Sequence, residues 1–399
     1  MDADLNQLEP LRYDLISPQK IVFGWGRRRE VGNLAAALGR RAFVVEGSGT
    51  LAANGTLAEI ADLLATAGME VVPLAAISRE PVVDDVDAAV ARLRDQRAGP
   101  GDVVVVVGGG SAIDLAKAAA ALATNRDGDS VKDYLEGVGR GFTIVAAPLP
   151  LVALPTTGGT GTEATKNAVI SSFEPPFKKS LRSELMVPRV VLVDPELSVS
   201  VPPATTAWTG MDAITQLIES SICRFARPIP QALAVDGLRR AVPAIVEAVR
   251  DGTSRPAREC MAHAALLSGM ALANSGLGLA HGVAAALGVH SRVAHGLACA
   301  VMLPVALRVN RHVRQRELAE LARAVLGGNW ASDALAAGAF IEKIEQLGDA
   351  VGVPRRLREL GVRREQISAI VVGSRGNSMN GNPRDVSDEE LTRLLEEML

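Results

Sequence analysis

The chain has 399 residues, of which 48% are hydrophobic and 22% charged, as is typical of a soluble globular protein. Because a single hydrophobic core stops growing at about 250–300 residues, this length predicts two domains. The formal net charge of −3 gives none of the excess positive charge that nucleic acids and anionic membranes select.

The N-terminus, the apolar stretches and the cysteines favour a cytoplasmic protein. Residues 1–10 are acidic and polar and lack the charged-then-apolar pattern of a secretory leader. The most apolar stretch, residues 144–154, contains two prolines and is shorter than the about 20 residues that a membrane span needs. Cys223, Cys260 and Cys299 are far apart and form no CxxC pair, which is typical of reduced core thiols.

The first half of the chain alternates strand and helix patterns. Strands are predicted at residues 41–45, 70–74, 103–107, 152–154 and 190–193, and helices between the first three of them at residues 57–68 and 84–96. Residues 103–107 are consecutive valines, and such a run, apolar on both faces, is what a buried parallel strand requires. This rhythm predicts right-handed crossovers and a doubly wound sheet.

The second half shows only helical apolar spacing. Helices are predicted at residues 231–250, 258–273, 296–309, 315–326, 334–347 and 388–399. Pro202 and Pro203 mark the seam between the two patterns. The predicted fold class is therefore α/β plus all-α, with an α/β domain over residues 1–197 and an all-helical domain over residues 198–399.

A glycine loop follows the valine strand and opens a helical pattern. Gly108, Gly109 and Gly110 allow the backbone to approach a pyrophosphate, and the amides at a helix start favour an anion. Ser111 is placed as helix N-cap and phosphate donor. The spacing is not that of a Rossmann fingerprint, so a tight strand–helix turn without a ligand is an equal alternative at this point.

A second loop, at residues 154–163, also follows an apolar strand and is predicted to open a helix. Thr156, Thr157 and Thr160 are hydroxyl donors for ribose and phosphate, interleaved with glycines that give close backbone access. Two such loops at the carboxyl ends of parallel strands meet at one crevice, where open α/β sheets bind ligands. A bound dinucleotide is therefore favoured.

Four further residues have the chemistry of a divalent metal site. Asp212 and Gln216 are four residues apart, hence on one face of a helix, and His281 and His295 follow downstream. A carboxylate, an amide oxygen and two imidazoles supply four ligands. A lone histidine is more often a hydrogen-bonded core residue, so the spacing of these segments alone is weak evidence.

The motifs taken together resemble the iron-activated alcohol dehydrogenase family from about residue 23 to the C-terminus. Residues 108–117 resemble its GGGSxxDxAK signature, with Asp114 and Lys117 in place, and residues 155–163 resemble its PTTxGTGSE loop, with Thr162 for the serine. The segments at 194–197, 210–213, 276–281, 295–304 and 378–383 follow in the family's order. The fold that this resemblance implies is a dinucleotide-binding domain followed by a helical domain, as in the related dehydroquinate synthase fold.

The resemblance implies an NAD(P)-dependent dehydrogenase that interconverts a small alcohol and an aldehyde or ketone, as a cytoplasmic homodimer. It makes Asp212, His281 and His295 ligands of Fe²⁺ or Zn²⁺ and the catalytic residues, and it places Gln216 where the family has its fourth ligand, a histidine. A second family histidine, thought to assist proton transfer, is Ala285 here. An amide is a poorer ligand than imidazole, so a metal-independent reductase is an alternative.

Cofactor contacts carried over by the resemblance include Asp114, with the glycine and threonine loops, and Lys178, near the nicotinamide ribose; a solvated loop charge is the alternative for Lys178. The aspartate with which the family selects NAD aligns with Gly47, which favours a lean toward NADP. Glu46, the preceding residue, is a carboxylate that is able to restore NAD preference. Two rivals are a dehydroquinate-synthase-like lyase and a degenerate binding protein; the intact loops argue against the second.

Overall fold

Six parallel strands with helices on both faces form the first half of the chain, and the computed structural model describes residues 12–47 and 49–399. The strands are β1 Lys20–Phe23, β2 Arg41–Glu46, β3 Glu70–Ala76, β4 Asp102–Gly108, β5 Leu151–Pro155, β6 Asn167–Phe173, β7 Pro176–Arg182 and β8 Val190–Val193. The order in the sheet is β1-β8-β5-β4-β2-β3, while β6 and β7 pair as a separate antiparallel hairpin.

The valine strand, β4, lies at the centre of the sheet, and burial of both its faces accounts for its apolar composition. Val104 and Val106 pack into the core on one face of the sheet, and Val103, Val105 and Val107 pack into the core on the other. Both faces are covered because right-handed crossovers place helices on each side. These helices are α1 Val31–Ala36, α2 Gly49–Ala53, α3 Thr56–Thr66, α4 Val83–Asp95 and α5 Gly110–Thr124.

The strand order places a ligand crevice between β2 and β4. From this point the chain builds outward to β3 on one side, and to β5, β8 and β1 on the other. Open α/β sheets bind ligands at such a switch point, beyond the carboxyl ends of the strands. The loops after β2 and β4 therefore flank the crevice, and Gly47 N donates to Val107 O at 2.8 Å between them.

Helices make up the second half around a separate hydrophobic core. They are α6 Pro203–Ile222, α7 Pro228–Arg250, α8 Arg255–Ala273, α9 Leu279–Ser291, α10 His295–Asn310, α11 Gln315–Leu326, α12 Asp333–Ala350, α13 Ile367–Gly373, α14 Asn377–Asn380 and α15 Asp388–Glu397. The predicted fold class, α/β plus all-α, is confirmed. Among the described residues, no helix is both long and apolar enough to cross a membrane.

A buried carboxylate fixes the last strand of the sheet to the segment after β1. Asp194, directly after β8, accepts from Gly26 N at 2.9 Å and from Arg28 N at 3.0 Å, and it pairs with the Arg28 guanidinium at 3.2 Å. These contacts fix the chain where it leaves the sheet and approaches α6, which begins at a proline, as helix starts commonly do. The predicted boundary between residues 197 and 198 lies in this connection and stays a prediction.

Candidate active site

The two predicted nucleotide loops lie side by side at the edge of the sheet. Thr156 N donates to Gly108 O at 3.1 Å. A Cβ on Gly109 would lie 3.2 Å from Thr157 Oγ1, and one on Gly110 would lie 2.8 Å from Thr160 Oγ1. The glycines therefore let the two loops pack closely, and a glycine backbone at a helix start is of the kind that a pyrophosphate approaches.

Two local predictions about these loops are wrong. Ser111 is not the N-cap of α5, because Gly109 holds the extended cap position and the helix begins at Gly110. The loop at residues 154–163 opens only a 3₁₀ turn, Thr162–Ala164, and not a helix. Gly161, at φ +60°, turns the chain against α8, where a Cβ would lie 2.2 Å from Ala265 O. This close approach ends the loop before a helix forms.

Two buried ionisable residues of α5, Asp114 and Lys117, attach the second loop to that helix. Lys117 Nζ donates to Thr162 O at 2.9 Å, and Thr162 Oγ1 donates to Asp114 Oδ1 at 2.7 Å. Burial lowers the pKa of Lys117 to about 8 and raises the pKa of Glu163 to about 7. Asp114, predicted as a cofactor contact, thus has one oxygen committed to the loop, and its contact with a cofactor stays a prediction.

Gly47 lies where the loop after β2 meets the glycine loop. A Cβ on Gly47 would lie 2.7 Å from Gly108 Cα. A side chain at this position would push the backbone of the phosphate loop, so the absence of the family's aspartate matches the local packing. Glu46 shares a strand face with Ala42 and Val44, which is the face opposite to α5.

Asp212, His281 and His295 converge in a cluster that also contains Cys299. One ligand atom from each lies within 4.8 Å of the others. Asp212 Oδ1 is 3.3 Å from His281 Nε2 and 4.0 Å from His295 Nε2. Asp212 Oδ1 and His281 Nε2 are buried, and neither makes a hydrogen bond to the described residues. A divalent cation between them would satisfy both atoms, so these residues fit a metal.

Glu219 holds His281 in the orientation that a ligand needs. Its Oε2 lies 2.7 Å from His281 Nδ1, which leaves Nε2 facing Asp212, and its Oε1 accepts from Ala280 N at 2.8 Å. Such a carboxylate behind a ligating histidine fixes the ring and its tautomer. Gly278 makes room for this carboxylate, because a Cβ there would lie 2.8 Å from Glu219 Oε1.

Burial and neighbouring charges set the protonation of the cluster. Burial lowers the pKa of His295 to about 4, so its imidazole is neutral and has a free lone pair. Burial alone would raise the pKa of Asp212, but the two imidazoles outweigh it and the carboxylate is ionised. Burial raises the pKa of the Cys299 thiol to about 12, which keeps it protonated until a cation displaces the proton.

Close helix packing brings the cluster together. Gly296 lets α10 approach α6, because a Cβ there would lie 2.5 Å from Trp208 O. Asn382, in the C-terminal motif, accepts from Leu279 N at 3.1 Å and from Asn310 Nδ2 at 2.9 Å. The C-terminal motif is thus structural, since it caps the start of α9 and positions His281 on its first turn.

Known proteins match the chain along almost its whole length. The family model "iron-containing alcohol dehydrogenase" matches residues 18–195, and that of the C-terminal part of the Fe-containing alcohol dehydrogenase family matches residues 206–399. The long-chain-alcohol dehydrogenase 1 of Geobacillus thermodenitrificans is 34% identical over 89% of this chain and 90% of that enzyme. The NAD-dependent methanol dehydrogenase of Bacillus methanolicus is 30% identical over 96% and 98%.

The crystal structure of a 1,3-propanediol oxidoreductase superposes with a TM-score of 0.89 at 31% identity, over 97% of this chain and 100% of that one. The chain belongs to the iron-containing alcohol dehydrogenase family. The predictions of the family and of an alcohol-oxidising oxidoreductase are confirmed.

Gln216, which the resemblance places at a ligand position of the family, uses its amide nitrogen in other contacts. Its Nε2 donates to Thr160 O at 2.8 Å and to Ser268 Oγ at 3.0 Å. The side chain therefore ties α6 to the second nucleotide loop and to α8. Its predicted role as a metal ligand through the amide oxygen stays a prediction.

Lys178 lies at the mouth of the cleft. It is on β7, its side chain is only 9% exposed, and it pairs with Glu80, so the alternative of a solvated loop charge is wrong. His290 lies in the last turn of α9, where Nε2 is 3.0 Å from the position of a Cβ on Gly373. It therefore packs against α13, while Ala285 leaves the family's second histidine position without a titratable group.

Two residues of the cluster were not predicted from the sequence as site residues. Glu219 lies seven residues after Asp212, and Cys299 lies four after His295, so both spacings place them on the faces that carry the ligands. That helical spacing is the signal from which they are recognisable. A lone Glu or Cys on an apolar helix has no such meaning until its partner on the same face is known.

Proposed function

We propose that the chain interconverts a small alcohol and its aldehyde or ketone with NAD(P) and with a divalent metal held by Asp212, His281 and His295. The observation that carries the proposal is that Asp212 Oδ1 and His281 Nε2 face each other at 3.3 Å, both buried and neither making a hydrogen bond to the described residues. Gln216 links α6, the helix of Asp212, to the second nucleotide loop, so the cluster adjoins the cleft in which the cofactor would bind.

The glycine and threonine loops would hold the cofactor. The backbone of residues 108–111 would receive the pyrophosphate, with the α5 N-terminus favouring its charge. Thr156, Thr157 and Thr160 offer hydroxyls, and Lys178 would contact the nicotinamide ribose. The hydride chemistry belongs to the cofactor, while the chain supplies its position.

We infer that both NAD and NADP are accepted, with a lean toward NADP. Gly47 presents no carboxylate to the 2′ position of the adenosine ribose, and the strand face of Glu46 is opposite to that of α5. Nothing at Gly47 itself would repel a 2′-phosphate.

The ligand residues have separate tasks around the metal. When bound, Fe²⁺ or Zn²⁺ polarises the carbonyl oxygen or lowers the pKa of the alcohol. Asp212 supplies the negative charge of the site, His281 is oriented by Glu219, and His295 offers a neutral imidazole. Ala285 moves no proton, so the alcohol proton leaves through water or the ribose hydroxyls. The homodimer and the cytoplasmic location stay predictions that rest on the resemblance and on the cysteines.

The proposal is tested with short-chain aldehydes and with NADH and NADPH, each followed by cofactor absorbance. We expect turnover with both cofactors and a higher kcat/KM with NADPH. Asp212→Ala removes a charged ligand and should lower kcat by about 10³, because metal activation is worth several kcal/mol. Asp62→Ala, on the exposed surface of α3, is the control. Equal rates for Asp212→Ala and the wild type would exclude the metal role, and a wild type that rejects NADPH would exclude the cofactor assignment.

The metal-independent reductase is the second candidate, and Gln216 is the observation that favours it. It predicts hydride transfer that survives complete removal of metal. A dehydroquinate-synthase-like lyase would convert substrate without a net change in cofactor absorbance, so the same assay distinguishes it.

A further inference from the structure

Cys299 is positioned as a member of the metal cluster and not as a core filler. It lies on α10, four residues after His295 and on the same helix face, and it is fully buried. Its Sγ lies 3.7 Å from His295 Nε2. By contrast, Cys223 donates to Ser220 O within its own helix and belongs to no cluster among the described residues.

Two of the separations among the four ligand atoms are close to those of a tetrahedral site, and a third, between Asp212 Oδ1 and His295 Nε2, is longer at 4.0 Å. Zinc bonds of about 2.0–2.2 Å to N and O and about 2.3 Å to S, at tetrahedral angles, place ligand atoms about 3.3–3.6 Å apart. The observed 3.3 Å between Asp212 Oδ1 and His281 Nε2, and 3.7 Å between His295 Nε2 and Cys299 Sγ, are close to these values.

Asp212, His281 and His295 supply three ligands, and a tetrahedral metal site takes a fourth. Gln216 is a weak candidate for that place, because its amide nitrogen is fixed by bonds to Thr160 O and Ser268 Oγ and its neutral amide oxygen is a poorer ligand than an imidazole. Meanwhile Asp212 Oδ1 and His281 Nε2 remain buried without hydrogen bonds beside the sulfur. A thiol alone satisfies them poorly, because sulfur is a weak donor and a weak acceptor.

We propose that the Cys299 thiolate is the fourth protein ligand of this metal, and that its sulfur makes the site a zinc site. The inference rests on the metal of the proposed function. On binding, the Cys299 S–H bond breaks, a metal–sulfur bond forms and the proton passes to water, because a coordinating thiol is deprotonated. Soft thiolate ligands are typical of zinc sites, so a site with sulfur retains Zn²⁺ against Fe²⁺ better than one without it.

The test is the absorption spectrum of the full-length protein loaded with Co²⁺. Cobalt reports its ligands directly, so the wild type should show a thiolate-to-cobalt charge-transfer band in the near ultraviolet beside its visible ligand-field bands. Cys299→Ser and Cys299→Ala should lose the charge-transfer band, while Cys223→Ser, a buried cysteine outside the cluster, should keep it. Elemental analysis gives the cobalt content of every sample, and circular dichroism reports folding.

A second measurement is independent of the cobalt spectrum. Competition with a zinc-binding dye should show that Cys299→Ser binds Zn²⁺ at least about tenfold more weakly than the wild type, which is about 1.4 kcal/mol. Its preference for Zn²⁺ over Fe²⁺ should fall as well.

The outcomes separate this inference from the proposed function. Wild type that binds cobalt with ligand-field bands but no charge-transfer band would overturn the Cys299 ligand and leave the metal site intact. Wild type that binds neither cobalt nor zinc would overturn the metal of the proposed function and this inference with it. Both conclusions can be drawn even if the Cys299 variants fail to fold, because both measurements are made on the wild type.

Discussion

At the scale of single residues, the nucleotide cleft depends on glycines, which have no side chain, at the start of α5. Gly109 and Gly110 face Thr157 and Thr160 at distances too short for an unstrained side chain. The glycines therefore let the threonine loop pack closely against the start of α5, where the helix dipole favours an anion. A larger residue here changes the occupied space with little effect on the cores, which lie on either side of the sheet.

We predict that Gly109→Val weakens binding of either cofactor by at least about tenfold, or ~1.4 kcal/mol, because the isopropyl group fills the pyrophosphate space. Titration of the fluorescence of the reduced cofactor measures this. Gly99→Val is the control, since Gly99 lies near the opposite end of β4 and the nearest atom to a Cβ there is Arg97 O at 4.0 Å. Unchanged affinity in Gly109→Val would remove this loop from the cofactor site.

At the scale of elements, the second nucleotide loop is held to α5 by hydrogen bonds of Asp114 and Lys117, and it carries a buried carboxyl, that of Glu163. Glu163 is 4% exposed, and burial raises the pKa of its carboxyl to about 7 from 4.5. A group whose pKa is raised on folding stabilises the fold fully below its unfolded pKa and loses that contribution as pH rises through the folded pKa. The window is therefore pH 4.5 to 7.

We predict that Glu163→Gln has nearly the stability of the wild type at pH 4.5 and is more stable at pH 8, by about 1–3 kcal/mol. The amide resembles the protonated carboxyl and has no charge to bury at the higher pH. Urea unfolding of both proteins at the two pH values measures the difference. A stability difference that is the same at both pH values would show that the charge of Glu163 is not the cause.

Elements whose apolar pattern has a clear period were the ones that the sequence predicted. The valine strand was predicted from its continuous β-branched run, and the amphipathic helices, such as α11, from the spacing of their apolar residues. Helix α9 did not, because its buried residues surround the helix and leave no polar face to define a period. The hairpin of β6 and β7 was missed because its second strand carries Lys178 and Lys179 between prolines and serines.

At the scale of the whole molecule, the active site is a product of contacts between the halves. Gln216 of α6 donates to Thr160 O in the α/β half, and Gly161 packs on Ala265 O of α8. Motifs identified Asp212, His281 and His295, but the roles of Glu219 and Cys299 depend on how α6, α9 and α10 pack. A sequence spacing within one helix does not contain that packing.

Reconstitution of the metal-free enzyme tests directly whether aldehyde reduction requires a metal held by Asp212, His281 and His295. Protein depleted of metal by chelation is titrated with Zn²⁺, and separately with Fe²⁺ under anaerobic conditions, while aldehyde reduction by NADPH is followed. We predict negligible activity without metal. The rate should then rise linearly with added metal and stop rising at about one ion per chain, the stoichiometry of a single four-ligand site. Full activity in protein with no detectable ion would contradict this prediction and establish the metal-independent reductase instead.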